Sequence, residues 1–496
     1  MGFNYMTAEE AAELFIHNGD NIGLSGFTAA GTPKVLGPAI AAKARKLHEA
    51  GEEFKVNIFS GASTNDFFDG ELSRAKALNF RTPYQSNKDL RAAMNCHEVN
   101  YADLHLSELA QKLRYGTLGK LNVAIIEAQS ISDNGDVILG TAVGNTPTFA
   151  ALAERVIIEL NSTIHPKIRG LHDIYIPLDP PYRREIPIYK ASDRIGDDTL
   201  HVDPKKIVAV VKTDFAGKVA AFTAPDEITS QIGANVCAFL SNELKQGRLP
   251  KEFLPLQSGV GNVANAVLQG LEKDLSIPPF MMYTEVLQDS VIDLIKSGRC
   301  TFASTCSLSL SDDCLHNFYE NIDFFHDKVL MRPIELSNNP EVCRRIGVIS
   351  MNTALEADIF GNINSTHVLG TKMMNGIGGS GDFTRNAYTS IFSCPSTTKG
   401  GLISNIVPMV SHLDHSEHSV DVIITEQGIA DLRGKSPIQR AREIINNCAH
   451  PDYRPLLNEY FSLSSAGHTP VSLGAAFSFH QAFAQTGSMK NAEISK

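Results

Sequence analysis

The stretch Pro278-Pro-Phe-Met-Met-Tyr-Thr-Glu-Val-Leu-Gln-Asp289 decides how this chain is read. Its apolar run at 280–282 has the composition of a buried strand, and the amphipathic run at 286–295 predicts a helix directly after it. An apolar strand that hands over at once to a helix is the building unit of a parallel sheet, whose strands are covered on both faces. Glu285 stands at that junction. An acid in this place has two readings: a helix-start charge favoured by the dipole, or a nucleophile carried on a strand end.

The same unit recurs outward in both directions. Strands are expected at 21–27, 55–60, 122–127, 155–160 and 206–211, with helical stretches such as 34–50 and 107–114 between them. After about Ala224 the alternation resumes, with strands expected at 253–260, 280–284, 328–336, 347–351 and 420–425. A loose echo links the halves. Ser25-Gly-Phe-Thr-Ala-Ala-Gly31 and Ser258-Gly-Val-Gly-Asn262 each leave a strand through a glycine turn into a helix. Turn-forming residues near 215–228 divide the chain into an N-terminal α/β domain, 1–222, and a C-terminal α/β domain, 223–496, that carries Glu285.

A chain of 496 residues is too long for a single core, which agrees with two domains. Its 43% hydrophobic and 20% charged residues describe an ordinary globular protein. A formal net charge of -11 argues against nucleic acid as the main partner, but leaves room for an anionic small molecule held by a few local groups. The first residues lack the basic and apolar regions of a signal peptide, and no stretch reads as a membrane span. The eight cysteines are dispersed, without a C-x-x-C pair, as in reduced thiols. A cytoplasmic protein is expected.

Several motifs fail on context. Gly376-Ile-Gly-Gly-Ser-Gly381 has dinucleotide-fingerprint spacing, but no convincing strand precedes it and no acid stands about 20 residues on. It reads better as a loop that lets a ligand approach backbone N–H groups, so no nucleotide redox cofactor is expected. Gly434-Lys435-Ser436 resembles the end of a phosphate-binding loop with the wrong spacing, and reads as a turn before a helix at Pro437. His412, His415 and His418 lack the usual metal-ligand spacing, so a hydrogen-bonded turn is preferred and no metal is expected. No G-x-S-x-G is present, which removes the α/β-hydrolase route to acyl chemistry.

Three features remain: Glu285, the turn Gly259-Val-Gly-Asn262 and the loop Gly376–Gly381. Ligands of open α/β sheets bind beyond the carboxyl ends of the strands, where all three could meet. N–H groups from two glycine turns could form an oxyanion hole, and a carboxylate beside it could attack a thioester carbonyl.

Long motifs across nearly the whole chain resemble the class I CoA-transferases of the acetyl-CoA hydrolase/transferase family, in particular its succinate CoA-transferases. They are Phe253-Leu-Pro-Leu-Gln-Ser-Gly-Val-Gly-Asn262, the Pro278 to Asp289 stretch, Ile334-Glu-Leu-Ser-Asn-Asn-Pro340, Met374-Asn-Gly-Ile-Gly-Gly-Ser-Gly-Asp-Phe383 and Thr425-Glu-Gln-Gly-Ile-Ala-Asp-Leu-Arg-Gly434. The resemblance implies two open α/β domains of the CoA-transferase (NagB/RpiA-like) type with the active site between them, and a homodimer. It implies that coenzyme A enters as acyl-CoA substrate and that Glu285 becomes a glutamyl-CoA thioester. Val260 and Gly379 would supply oxyanion N–H groups and Asn338 would position the glutamate. CoA would contact Val260, Gly261, Asn262, Val263, Ala264, Leu355, Asn375, Gly379 and Lys399, and Ser63 and Glu426 would serve the carboxylate pocket. The implied reaction moves CoA from succinyl-CoA to acetate. A propionyl-CoA:succinate transfer and acetyl-CoA hydrolysis are the alternatives.

Overall fold

The computed structural model describes residues 2–216, 224–464 and 466–494. The described residues form two large sheets beside four small ones. In the first, Asn21–Leu24, Val56–Ser63, Leu78–Gln85, Asn100–Tyr101, Val123–Ile131, Arg155–Asn161 and Ile207–Thr213 are parallel. Counted along the chain, these seven lie in the order 4-3-2-1-5-6-7. In the second, Leu256–Ser258, Phe280–Tyr283, Cys300–Thr305, Val329–Met331, Ile349–Thr353, Thr389–Ser393 and Val422–Thr425 are parallel and lie in the same order, 4-3-2-1-5-6-7. Gly428–Asp431 then closes that edge antiparallel. The loose sequence echo is therefore a repeat of the whole winding.

Burial explains why these segments are strands. All residues of Thr389–Ser393 and Val422–Thr425, and the first six of Val123–Ile131, are buried, as in sheets covered on both faces. The covering helices present apolar stripes. Leu36–Glu49 buries Leu36, Ile40 and Ala44, four residues apart, and Glu227–Lys245 buries Ile232, Val236, Phe239 and Leu240. Ser436 forms a capping box with Gln439 at the start of Pro437–Asn447, which accounts for the Gly434-Lys435-Ser436 turn.

Differences from the sequence expectations have local causes. The strand expected at 328–336 stops at Met331, and Pro333 opens the short helix Ile334–Ser337, because proline offers the ladder no N–H. The helix expected from 286 begins at Asp289, since Val286–Leu287 pairs in parallel with Ser307–Leu308. Leu78–Gln85, Cys300–Thr305 and Thr389–Ser393 were not expected as strands. Their polar residues are paired inside: Ser304 Oγ accepts from Arg332 Nε at 2.8 Å, and Ser390 Oγ donates to the Ser419 carbonyl at 2.7 Å. The expected boundary at 222/223 lies outside the described residues.

The halves are tied by ion pairs withdrawn from water. Arg332 is fully buried, pairs with Asp173 of the first half, and donates to the Ala191 carbonyl at 3.2 Å. Arg114 grips Glu335 with two bonds, 2.8 and 2.7 Å. The edge strand Val329–Met331 is covered from the first half, with the Met331 N–H donating to the Leu171 carbonyl at 2.7 Å. Arg332→Met should lower the unfolding free energy by about 3–5 kcal/mol, because it strands a buried charge on Asp173. The double variant Asp173→Leu/Arg332→Met should regain most of that loss in a denaturant titration.

Candidate active site

In the second sheet the strand order reverses beside Leu256–Ser258, which lies between Phe280–Tyr283 and Ile349–Thr353. A cavity of about 150 Å³ opens beyond the carboxyl ends of these strands, where such sheets bind ligands. The second half lines it with the Gly259–Val260 turn, Glu285 and the loop 375–380. The first half contributes Thr28, Ala62, Thr64 and Tyr84 from its own strand ends. The cavity thus lies between the halves.

Glu285 is no helix-start charge, because the helix begins four residues later with Asp289 in its first turn. Its backbone is clamped: its carbonyl accepts from Thr305 Oγ1 at 2.8 Å, the Cys306 N–H at 3.1 Å and Cys306 Sγ at 3.1 Å. The side chain reaches the cavity, where Oε2 accepts a 2.6 Å hydrogen bond from Asn338 Nδ2. Asn338 is fully buried at the end of Ile334–Ser337. Its Nδ2 also donates to Asp382 Oδ2 at 3.2 Å, and its Oδ1 accepts from Ser337 Oγ at 3.0 Å. Burial pushes the Glu285 carboxyl from 4.5 up to about 8, and the Asp382 charge adds to this, while the Asn338 hydrogen bond pulls the other way. Tyr84 is lifted to about 12, by burial first and then by the Glu285 charge.

The glycine loop packs directly on this carboxylate. A Cβ on Gly379 would stand 1.7 Å from Glu285 Oε2 and 2.4 Å from Asn338 Nδ2, so any side chain here must displace the carboxylate. The loop is pinned from the first half. The Ile377 N–H donates to both oxygens of Asp103, at 3.0 and 2.9 Å, and Asp382 accepts from the Ser107 N–H at 3.1 Å and Ser107 Oγ at 2.6 Å. Across the cavity, Gly261 has φ +104 at the start of Asn262–Lys273. Gln288 Nε2 braces that turn by donating to the Gly259 carbonyl at 3.0 Å. Among the described residues, the N–H groups of Val260 and Gly379 have no hydrogen-bond partner within the protein.

The remaining expected residues are distributed around this centre. Asn375 lines the cavity with Val260 and Gly379, while Gly261, Asn262, Val263 and Ala264 continue from its rim into the helix. Leu355 donates its N–H to the Asn364 carbonyl at 2.9 Å and lies outside the lining. Lys399 stands on an exposed turn, its Nζ 5.0 Å from the centroid of the Phe483 ring. Ser63 is buried and accepts from Asn65 Nδ2 at 3.0 Å, and its neighbours Ala62 and Thr64, not Ser63, line the cavity. Glu426 is also outside the lining and accepts from the Ser396 N–H at 2.8 Å. His415 supports the glycine loop through Ser380 Oγ at 2.9 Å, and burial pushes its pKa down to about 4. Among the described residues no three His, Cys, Asp or Glu side chains are grouped to hold a metal ion.

Asp382, Asp103, Ser107, Thr28 and Tyr84 were missed as site residues. Asp382 stands inside the quoted motif Met374 to Phe383, where an acid after the glycines was a usable signal. The first-half residues gave none, because their place depends on how the halves dock.

Between pH 4.5 and 8 the folded state holds a proton on Glu285 that the unfolded chain has released, so this residue costs stability as pH rises through that window. Glu285→Gln removes the ionisation. Its thermal midpoint should exceed that of the unaltered protein by a margin that widens from pH 5 to pH 9, measured by calorimetry at both values.

Residues 3–212 match the acetyl-CoA hydrolase/transferase N-terminal domain and residues 315–461 match the acetyl-CoA hydrolase/transferase C-terminal domain. The chain is 51% identical to a propanoyl-CoA:succinate CoA transferase of Escherichia coli, over 98% of each chain. It is 49% identical to a succinyl-CoA:acetate CoA-transferase of Clostridium kluyveri, over 98% of this chain and 90% of the relative. Its fold is similar to the crystal structure of RipA from Yersinia pestis, with a TM-score of 0.71, 22% identity, and 92% of this chain and 96% of that one covered. A shared sequence along both halves, with the winding repeated in each, makes this chain a member of the acetyl-CoA hydrolase/transferase family.

Proposed function

We propose that this protein transfers CoA between carboxylic acids, with Glu285 as the covalent carrier. The observation that carries this reading is the Glu285 carboxylate at the cavity, hydrogen-bonded to Asn338 and packed against the Gly379 backbone. The carboxylate attacks the acyl-CoA carbonyl, the C–S bond breaks, and CoA leaves as thiolate from an acyl-glutamyl anhydride. The thiolate then attacks the glutamyl carbonyl, releasing the donor acid and leaving a glutamyl-CoA thioester. An acceptor carboxylate attacks that thioester, and the same two steps in reverse give the new acyl-CoA and free Glu285. The Val260 and Gly379 N–H groups serve the oxyanions of these steps, a role supported by their having no hydrogen-bond partner among the described residues. CoA lies along Val260 to Ala264, with Leu355, Asn375 and Lys399 at its further reaches, and Ser63 and Glu426 serve the carboxylate side.

The acids are small. Succinyl-CoA with acetate is the preferred pair, and propionyl-CoA with succinate is next; the names of the two relatives, 49% and 51% identical, support both. Hydrolysis is the second reading, supported by the family's description. It requires water at the glutamyl thioester. Domains at 1–222 and 223–496 and a cytoplasmic homodimer complete the proposal. The repeated winding supports the division, the prevalence of two-fold assemblies supports the dimer, and no helix among the described residues is long and apolar enough to cross a membrane.

Incubation with acyl-CoA alone should add CoA to Glu285, seen by mass spectrometry, and Glu285→Ala should abolish both adduct and turnover. An active Glu285→Ala variant would sink the covalent role. Release of free CoA thiol at a rate indifferent to added acetate or succinate would select hydrolysis instead. Gly379→Ala pushes the carboxylate out of place and should lower kcat on the order of 100-fold while the thermal midpoint stays near that of the unaltered protein.

A further inference from the structure

Asp382 is buried, does not itself line the cavity, and among the described residues is the acid besides Glu285 that is hydrogen-bonded to Asn338. The Asn338 amide nitrogen has two N–H groups. One points to Glu285 Oε2 at 2.6 Å and the other to Asp382 Oδ2 at 3.2 Å. An amide carries its two N–H bonds at a fixed angle in one plane, so anchoring one of them aims the other. Asp382 is itself held from the first half of the chain, by the Ser107 N–H at 3.1 Å and Ser107 Oγ at 2.6 Å. We infer that Asp382 is a positioning residue, which orients the Asn338 amide towards Glu285 and makes that orientation depend on the docking of the two halves through Ser107.

The inference rests on the reading of Glu285 as the covalent carrier. A mainly electrostatic role is the alternative: the Asp382 charge opposes ionisation of Glu285, and Asp382→Asn removes that charge while keeping the acceptor. What Asp382 supplies is an acceptor at a fixed point. An amide oxygen can supply the same acceptor, and a methyl group cannot.

The test measures the rate at which the Glu285–CoA adduct forms from acyl-CoA, beside the equilibrium dissociation constant for CoA. Asp382→Ala should slow adduct formation on the order of 100-fold, with CoA binding changed less than about threefold. Asp382→Asn should restore the rate to within about tenfold of the unaltered protein. In an Asn338→Ala background, Asp382→Ala should cost no more than about threefold, because a residue that acts through Asn338 has nothing left to orient. The inference is overturned by an undiminished rate in Asp382→Ala, by Asp382→Asn failing as badly as Asp382→Ala, or by a full loss persisting without Asn338. Equal losses of rate and CoA binding in both Asp382 variants overturn it too, since they mark a merely structural residue. If the unaltered protein forms no adduct on Glu285, the reading beneath the inference fails and takes the inference with it.

Discussion

The contact between the Glu285 carboxylate and Gly379 sets the terms for the rest of this structure. Burial first, and then the Asp382 charge, move the Glu285 carboxyl up to about 8 against the pull of the Asn338 hydrogen bond, which opposes its ionised form. The protein answers with directed donors instead of counter-charges: the Asn338 amide on the carboxylate and a bare glycine backbone against it. Such donors need exact placement, and placement here comes from three hydrogen bonds on the Glu285 carbonyl and from a glycine loop braced by Asp103, Ser107 and His415. Two of those braces belong to the first half of the chain, so the site exists only when the halves are joined.

The joining is reciprocal. Each half has seven parallel strands in the same order, and each passes the segment after its fourth strand to the other. In the first half that segment holds Asp103 and Ser107, which bind the glycine loop following the fifth strand of the second half. In the second half it holds Pro333 and Ile334, which meet Gly144 after the fifth strand of the first. Beside the cavity, Phe27, Ala62, Ala142, Cys306 and Ile334 form an apolar cluster where the halves meet, and the Phe27 ring lies 2.4 Å from where a Cβ on Gly61 would be. Ala62 stands in that cluster at the end of the second strand, the place after which Glu285 follows in the other half. One repeat thus carries the acid and the other gives walls and braces.

The legible part of the fold was its apolar strands. Runs such as Val123-Ala-Ile-Ile and Val422-Ile-Ile-Thr announce burial on both faces by composition alone. Leu78–Gln85 and Cys300–Thr305 did not, because the polar Arg81 and Ser304 are buried against partners, Asp69 and Arg332, that stand outside the strands themselves, 12 and 28 residues away. Glu285, Val260, Gly379 and Asn338 were legible as site residues through their motifs, and all four meet within one site. His415 was expected in a hydrogen-bonded turn, and what no local pattern told is that its ring braces the glycine loop through Ser380 Oγ.

By itself the sequence determined the class of fold and the strand–helix alternation along the chain, and it singled out Glu285, since each is written in local composition or in motif order. The tertiary structure alone decided that the two halves share one winding and which first-half residues brace the glycine loop. The physical reason is range. Strand and turn propensities act over a few residues, whereas the placing of Glu285 depends on Asn338, Gly379, Asp382 and Ser107, brought together from across 275 residues of chain by packing that no local pattern records.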